Sequence, residues 1–169
     1  GALIASCSYE RPPGTVVGTV RVWNSTDGSV VRTLEGGRKP LVGIEFSPDG
    51  QRIAAGSWDF CVFVWSVDGG EPVKCTVPDE GIYNAVDGVA WTPDGVHVLA
   101  ASKDHTARVF DATTGALVAS LRGHTDAVAK LAVSSDGALA ATASADGTLA
   151  LWSTTDWTRR ATLRGHGDD

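Results

Sequence analysis

The 169-residue chain is 43% hydrophobic and 20% charged, which is typical of a globular protein. Its net charge of −6 argues against nucleic acid as a partner, because phosphate binding needs a basic stripe and the arginines and lysines are scattered. No apolar run approaches the roughly 18 residues of a membrane span, and the three cysteines lack CxxC spacing, so we expect reduced thiols in an intracellular, cytoplasmic protein.

A unit returns every 42 to 45 residues along the chain. The turn sequence Ser47-Pro48-Asp49-Gly50 recurs at Thr92–Gly95 and at Ser134–Gly137. An aromatic residue lies 16 positions after each of these Asp residues: Trp65, Phe110 and Trp152. A further tryptophan, Trp23, lies 42 residues before Trp65. This period predicts four units whose apolar faces are buried by stacking on one another.

The first unit, residues 1–37, begins inside a hairpin. Gly1–Ser8 aligns with Gly137–Ser144 of the fourth unit, so we expect the first unit to lack its innermost strand. Its second hairpin carries seven extra residues within Tyr9–Val17. This stretch has the composition of an interface anchor, with Tyr9, Arg11, Pro12 and Pro13 as candidate contacts. A surface insertion without a function is the alternative.

The other three units each contain four short strand-like runs. In the second unit, residues 38–81, they are Leu41–Phe46, Arg52–Gly56, Val62–Trp65 and Val73–Val77. In the third, residues 82–124, they are Val86–Trp91, His97–Ala101, Ala107–Phe110 and Leu117–Leu121. In the fourth, residues 125–169, they are Ala127–Val133, Leu139–Ala143, Leu149–Trp152 and Arg160–Leu163. Tight turns between such runs predict antiparallel meanders, and meanders at this period are the blades of a β-propeller.

These motifs resemble the WD-repeat family of β-propellers. Gly123-His124, the Ser/Thr-x-Asp-Gly turns and the Asp-x5-Trp spacing carry the resemblance. The dipeptide that names the family is intact in no unit, because it reads Trp23-Asn24, Trp65-Ser66, Phe110-Asp111 and Trp152-Ser153. The resemblance implies an all-β, partial propeller of four-stranded antiparallel blades, with three complete blades and a first blade that lacks its innermost strand.

The resemblance also implies a hydrogen-bonded structural tetrad in the fourth blade, formed by His124, Thr142, Asp146 and Trp152. A hairpin centred on Gly147 would place Thr142 directly opposite Trp152. The second and third units lack the His and the hydroxyl, since the corresponding residues are Gly37, Ala55, Asp59 and Trp65, and Ile82, Ala100, Asp104 and Phe110. We therefore expect Asp59 and Asp104 to cap turns or face solvent.

Nothing in the sequence supports an enzyme, a cofactor or a metal site. A His, a hydroxyl and an Asp invite comparison with a nucleophilic triad, but that chemistry needs an exposed hydroxyl beside an oxyanion hole. Thr142 instead lies in the middle of a predicted strand. The chain has no GxxxxGK[ST] loop and no HExxH motif, and Gly36–Lys39 lacks the spacing of a phosphate cradle.

The repeats also indicate that these blades pack against further blades. Leu163-Arg164-Gly165-His166 repeats Leu121-Arg122-Gly123-His124, which is how a following blade would begin. Four blades with two open faces would expose more apolar surface than a soluble monomer usually carries. The favoured source of the missing blades is the rest of the same polypeptide, followed by a second polypeptide and then by a second copy.

The resemblance implies a non-enzymatic scaffold for protein–protein interactions in a multiprotein assembly. The resemblance also implies that partners bind the top face, which is formed by the turns of the second hairpins and the loops that enter the blades. Two aromatic residues on one tight turn of this face favour contact with a partner or with a neighbouring loop. The candidate contact residues here are Trp58, Phe60, Arg38, Tyr83, Lys103 and His105. Trp157 is expected to be a rim contact or to pack between blades. One alternative is a propeller attached to an enzyme, such as a kinase, elsewhere in the polypeptide. Another is a reader of a ligand or modified peptide in the channel, where the inner strands offer only Asp87 and Lys130.

Overall fold

The computed structural model describes residues 2–10, 17–76 and 85–165, and all regular secondary structure within them is β-strand. Blade 1 contains β1 (Leu3–Glu10), β2 (Val17–Asn24) and β3 (Val30–Glu35). Blade 2 contains β4 (Leu41–Phe46), β5 (Arg52–Ser57), β6 (Cys61–Ser66) and β7 (Val73–Thr76). Blade 3 contains β8 (Val86–Trp91), β9 (His97–Ser102), β10 (Ala107–Asp111) and β11 (Leu117–Leu121). Blade 4 contains β12 (Val128–Val133), β13 (Leu139–Ser144), β14 (Thr148–Ser153) and β15 (Arg159–Arg164).

Each blade is an antiparallel meander in which strands that follow one another in sequence are paired in space. Within the described residues blade 1 has three strands and the other blades have four, so the predicted all-β, propeller-type fold is confirmed. The strand β1 aligns with β13 rather than with an innermost strand, because Ile4 pairs with Trp23 as Ala140 pairs with Trp152. Val77, the last residue of one predicted strand, lies outside the described residues.

The recurring Ser/Thr-x-Asp-Gly sequence forms the first turn of blades 2, 3 and 4. In blade 2 the Ser47 hydroxyl donates to Asp49 Oδ1 at 2.5 Å and accepts the Arg52 backbone N–H at 2.9 Å. Gly50 adopts a φ of +69°, which a side chain would strain. The same bonds recur from Thr92 to Asp94 and from Ser134 to Asp136. The sequence motif is therefore a turn that closes itself without help from the rest of the fold.

Alternating strand direction gives every blade two ends. One end carries the turn between the first and second strands and the turn between the third and fourth strands of a blade, and we call this end the lower face. The upper face carries the turn between the second and third strands, such as Ser57–Phe60 of blade 2, and the loop that leads into each blade. Among the described residues, the predicted contact residues Arg38, Trp58, Phe60, Lys103 and His105 belong to the upper face.

The blades stack in chain order, and a separate apolar core fills each seam between neighbours. Alternate residues of β6 serve two seams: Phe63 and Trp65 pack towards blade 1, whereas Val62 and Val64 pack towards blade 3. The cysteines contribute as small apolar side chains. Burial raises the pKa of Cys61 to about 11 and that of Cys75 to about 12, so both stay protonated and unreactive near neutral pH.

The innermost strands approach one another closely. Gly43 of β4 occupies a bulge with a φ of +57°, and a Cβ atom there would lie 2.8 Å from the Cα atom of Gly88 in β8. Glycine is needed at this point for its backbone conformation and for the close approach of the next blade. No helix within the described residues is long and apolar enough to cross a membrane.

The outward face of blade 4 is apolar and only partly covered. In blade 3 the residues that face blade 4 include Leu99, Val109 and Leu121, which are 0%, 0% and 1% exposed. The corresponding positions of blade 4 are Ala141, Leu151 and Leu163; the first two are partly exposed and Leu163 is 48% exposed. Across the described residues the first and fourth blades make no extensive contact that would close a ring.

Candidate functional site

Blade 4 contains one connected network of buried polar side chains. The Trp152 indole N–H donates to Thr142 Oγ1 at 2.9 Å, and Thr142 Oγ1 lies 2.9 Å from His124 Nε2. His124 Nδ1 lies 3.0 Å from Asp146 Oδ2. Because the indole only donates and the carboxylate only accepts, the Thr142 hydroxyl donates to Nε2 and the Nδ1–H donates to Asp146. All four polar groups are thereby satisfied, with Trp152, Thr142 and His124 buried and Asp146 partly buried.

Asp146 anchors this network to two backbone segments. Its carboxylate also accepts the backbone N–H groups of Thr125 and Thr148 and the Thr148 hydroxyl, each within 2.9 Å. Burial works against ionisation, but these hydrogen bonds and the one from His124 outweigh it and hold the pKa of Asp146 well below its usual value. The ionised carboxylate therefore ties the loop that leads into blade 4 to the turn between β13 and β14.

The predicted pairing of Thr142 directly opposite Trp152 is wrong. The strands β13 and β14 pair Ala140 with Trp152 and Thr142 with Ala150. The turn is centred on Asp146 rather than on Gly147. The Gly147 N–H donates to the Ser144 carbonyl, so Gly147 is the last residue of the turn, where it has a φ of +78°. Thr142 and Trp152 still share one face of the sheet, and the long indole reaches the hydroxyl diagonally.

Blades 1 and 2 satisfy their tryptophans in other ways. The Trp23 indole donates to the Ser6 hydroxyl at 2.9 Å, which repeats the diagonal pair of blade 4 in a solvent-exposed form. The Trp65 indole donates instead to the Glu35 carbonyl of blade 1 at 3.0 Å. Asp59 accepts the backbone N–H of Arg38 in the loop that leads into blade 2. Asp59 is thus a cap, which is one of the two roles expected for it from the sequence.

Blade 3 places an arginine where blade 4 places its polar network. Arg108 is 1% exposed, and its Nη1 lies 2.7 Å from Asp104 Oδ2. Arg108 pairs with Ala100, the residue that corresponds to Thr142, so its side chain lies on the same face of the blade. Burial opposes ionisation of Asp104, but hydrogen bonds from Thr106 and Arg108 outweigh it and lower its pKa.

Sequence reasoning missed this buried ion pair. Asp104 does cap its turn, by accepting the Thr106 N–H at 3.1 Å, but it also carries the charge that balances Arg108. The available signal was an arginine inside a run of small and apolar residues, four positions after an aspartate.

The structure brings candidate contact residues together on the upper face at the seam of blades 2 and 3. Lys103 Nζ lies 5.3 Å from the centre of the Trp58 ring and 3.5 Å from Asp87 Oδ2. We call Trp58, Phe60, Asp87 and Lys103 the Trp58 cluster. Trp58 and Phe60 remain 45% and 44% exposed, and exposed Arg38 lies beside their turn through its bond to Asp59.

Two residues of this face occupy backbone conformations that favour glycine. Phe60 and His105 have φ values of +67° and +68°, and the corresponding residue of blade 4 is Gly147, at +78°. A side chain in this region costs roughly 1–2 kcal/mol. The chain therefore presents an aromatic ring and an imidazole from turns that would be more stable with glycine.

Several predicted contact residues cannot be placed. The Tyr9 side chain, Arg11, Pro12, Pro13 and Tyr83 lie outside the described residues, as does Ile82. The two channel candidates are placed: Asp87 pairs with Lys103 and Lys130 is exposed.

The described residues contain no group suited to metal binding, and the Thr142 hydroxyl is not accessible as a nucleophile. Across residues 2–10, 17–76 and 85–165, no group of three or more His, Cys, Asp and Glu side chains could hold a metal ion. Thr142 is 0% exposed, and its hydroxyl is engaged by Trp152 and His124. A substrate could not reach it without opening the seam.

A family model described as WD domain, G-beta repeat, matches residues 28–66, 75–111 and 115–153. These spans make up more than half of the chain. The chain belongs to the WD-repeat family. Each matched WD repeat ends with the third strand of a blade, at Ser66, Asp111 and Ser153, and begins within or just before the outer strand of the preceding blade. One repeat therefore contributes strands to two blades, which couples neighbouring blades through the chain.

Curated WD-repeat relatives match at moderate identity over part of their length. The chain is 35% identical over 81 residues to WD repeat-containing protein 1 of Mus musculus, covering 46% of this chain and 13% of that protein. It is 32% identical over 105 residues to Periodic tryptophan protein 2 of Arabidopsis thaliana, covering 62% and 11%. It is 31% identical over 114 residues to human Angio-associated migratory cell protein, covering 68% and 26%. WD-repeat proteins are generally non-catalytic scaffolds that bind other proteins.

Proposed function

We propose that this WD-repeat chain is a non-enzymatic part of a larger propeller and that its Trp58 cluster binds a protein partner. The exposed aromatic pair Trp58 and Phe60 is the observation that carries the proposal. Its two side chains are nearly half exposed on one turn, and rings of this kind are concentrated at the centres of protein interfaces.

The contacts around Trp58 prepare it for binding. Lys103 lies over the indole ring and is held there by Asp87, so the ring is restrained before a partner arrives. A side chain that is already ordered loses less entropy on binding. The exposed parts of the Trp58 and Phe60 rings offer apolar contact, while Lys103 and Arg38 add positive charge nearby.

The Phe60 backbone supports a binding role more than a folding role. At a φ of +67° glycine would relieve strain, and the Phe60 ring is 44% exposed, so burial within the chain does not compensate for the cost. A partner that covers the ring would compensate for it. Such strain is typical of functional turns.

Phe60→Gly is therefore a clean test, because it removes the ring without disturbing the turn. The control is Val96→Ala, at a side chain that is 45% exposed on the lower face. Tagged protein is isolated from its source cells, and co-purifying proteins are compared by quantitative mass spectrometry. A partner retained by wild type and Val96→Ala but lost by Phe60→Gly supports the proposal, and its purified form should bind Phe60→Gly about tenfold or more weakly.

Identical partners and equal dissociation constants for Phe60→Gly and wild type would overturn the assignment of the Trp58 cluster. Thermal unfolding of the same samples shows whether the variant is folded. We expect Phe60→Gly to unfold at or near the wild-type temperature, since relief of strain offsets the added entropy of the unfolded chain.

The outward face of blade 4 supports the second part of the proposal. Leu151 and Leu163 repeat residues that are buried in blade 3, but here they are partly exposed. A matching fifth blade, supplied by the same polypeptide, would bury this face in the same way. The lengths of the relatives agree with this arrangement, because the chain spans 11% to 26% of those proteins.

Leu151→Lys tests this part in the intact protein from its source cells. If a further blade covers blade 4, the variant should lose several kcal/mol of stability, because a charge is buried without a partner. Leu117→Lys, at a residue 42% exposed on the outer strand of blade 3, is the matched control and should cost about 0.5 kcal/mol or less. Equal, small effects, together with an intact mass of 17.5 kDa, would contradict the larger propeller.

A further inference from the structure

A pocket opens on the lower face, at the seam of blades 3 and 4. It encloses about 340 Å³ and is lined by residues of both blades, including Pro93, Asp94, His97, Asp136, Thr154 and Trp157. This volume lies at the lower end of the roughly 300–1,000 Å³ found for ligand pockets. The pocket is distinct from the Trp58 cluster, which lies on the opposite face at another seam.

Trp157 forms the aromatic wall of this pocket and is unusual for its turn. The corresponding residues of blades 1 and 3 are Gly28 and Gly115, with φ values of +70° and +73°. Trp157 adopts the same left-handed conformation, with a φ of +56°. Its ring packs edge-on against His97 of blade 3, with the ring centres 5.7 Å apart. The indole is therefore positioned by the seam, at a place where the turn itself favours glycine.

Two carboxylates form the polar wall. Asp94 Oδ1 accepts the Thr92 hydroxyl at 2.6 Å and the Val96 N–H at 2.9 Å. Asp136 Oδ1 makes the equivalent bonds with Ser134 and Ala138, at 2.6 and 3.0 Å. These hydrogen bonds lower the pKa of both carboxyls, so both are ionised at neutral pH. The bonds that the described residues make to these two groups end on Oδ1, which leaves Oδ2 of each available to a ligand.

The seam of blades 2 and 3 shows which chemical group occupies the corresponding place. There the residue that corresponds to His97 is Arg52, whose Nη2 donates to the Gly95 carbonyl of the next blade at 2.6 Å. The Arg52 guanidinium also lies 4.8 Å from the centre of the Trp91 ring. The chain therefore fills one seam with its own guanidinium, held by a turn carbonyl and an indole.

At the seam of blades 3 and 4 this internal guanidinium is absent from the corresponding position. His97 is shorter than arginine, and the Gly137 carbonyl that corresponds to Gly95 accepts the Thr154 hydroxyl instead. The indole of Trp157 and the carboxylates of Asp94 and Asp136 surround the space that remains. Two anionic groups beside an aromatic face suit a cation with planar donors.

We propose that this lower-face pocket binds an arginine side chain of a protein partner. The guanidinium donates to the Asp94 and Asp136 carboxylates and stacks on Trp157, as Arg52 stacks on Trp91 one seam away. Arginine fits better than lysine, because its planar group combines stacking with several directed hydrogen bonds.

The test uses three small probes on the purified protein: an acetylated, amidated Gly-Arg-Gly peptide, the same peptide with citrulline in place of arginine, and methylguanidinium. Binding is followed through the indole N–H resonance of Trp157, assigned by its absence from Trp157→Gly. That variant should fold, since the other blades carry glycine here. We expect the arginine peptide to shift this resonance in a saturable way and the neutral citrulline peptide to bind roughly tenfold or more weakly.

Asp94→Asn and Asp136→Asn keep the Oδ1 acceptor of each turn and remove the charge. Each should weaken binding of the arginine peptide roughly tenfold. Asp49→Asn, at the equivalent turn of blade 2, is the matched control and should bind as wild type does.

Three results would overturn the proposal. The first is no shift of the Trp157 resonance with the arginine peptide, and the second is equal binding of the citrulline peptide. The third is methylguanidinium binding as tightly as the peptide, which would indicate a site for free guanidinium compounds rather than for a protein partner. None of these outcomes depends on the Trp58 cluster, so the upper-face proposal stands or falls separately.

Discussion

Thr142→Val removes one oxygen atom from the centre of the blade 4 network and keeps the shape of the side chain. Thr142 is 0% exposed, and its hydroxyl bridges the Trp152 indole and the His124 imidazole, at 2.9 Å each. The substitution leaves one buried donor and one buried acceptor without partners. Each such group costs about 1–3 kcal/mol, so we expect a loss of about 2–6 kcal/mol in the free energy of unfolding.

Two further variants separate the hydrogen bonds from the packing. Thr142→Ser keeps the hydroxyl and loses one methyl group, which should cost about 1 kcal/mol. Ser6→Ala breaks the corresponding bond to Trp23 in blade 1, where the bond is exposed to solvent and water can replace the lost partner. We expect that variant to lose less than about 1 kcal/mol.

Urea unfolding measures these differences, followed by tryptophan fluorescence and by circular dichroism. The midpoint should fall with little change in the slope, since the surface exposed on unfolding is nearly the same. A loss for Thr142→Val within about 0.5 kcal/mol of that for Thr142→Ser would refute the reasoning, because it would mean that the buried bonds contribute no net stability. A loss for Ser6→Ala as large as that for Thr142→Val would refute the role assigned to burial.

Two other predictions concern the buried charges. The pKa of Asp146 is lowered by folding, so its contribution to the free energy of unfolding is present above the unfolded pKa of about 3.9 and is lost as the pH falls below that value. Asp146→Asn should therefore be less stable than wild type at pH 7 and should lose stability less steeply in acid. Urea midpoints that change with pH by the same amount in both proteins would contradict this. Arg108→Met leaves the Asp104 charge without its ion-pair partner and should cost about 3–5 kcal/mol of stability. Adding Asp104→Asn to Arg108→Met should recover much of that loss. Equal urea midpoints for the single and double variants would count against a buried ion pair.

The fold was predictable from the sequence because its signals are local and repeated. Ser47 and Asp49 close their turn with bonds to each other and to adjacent backbone, and the same sequence recurs in two other blades. The pairing register of β13 and β14 was predicted wrongly. The cause was the position of one residue, because Gly147 is the last residue of the turn and not its centre.

The candidate site was predictable only in part. Exposed aromatics on the Ser57–Phe60 turn stand out in the sequence, and the structure places them on the upper face. The strained backbone of Phe60 was not visible in the sequence, because its left-handed φ follows from the turn type and not from the residue itself. The contact of Lys103 with Trp58 was also not predicted, since it joins side chains of two different blades.

The sequence by itself determined the repeat period, the strands, the self-closing turns and the alternation of apolar residues, because each of these depends on neighbours a few positions apart. Only the tertiary structure decided which side chains meet across the seams. Arg52 fills one seam, whereas His97 and Trp157 leave a pocket in the next. The physical reason is that a seam is shaped by two blades at once, and its contents depend on side-chain length and on the distance at which both faces stack.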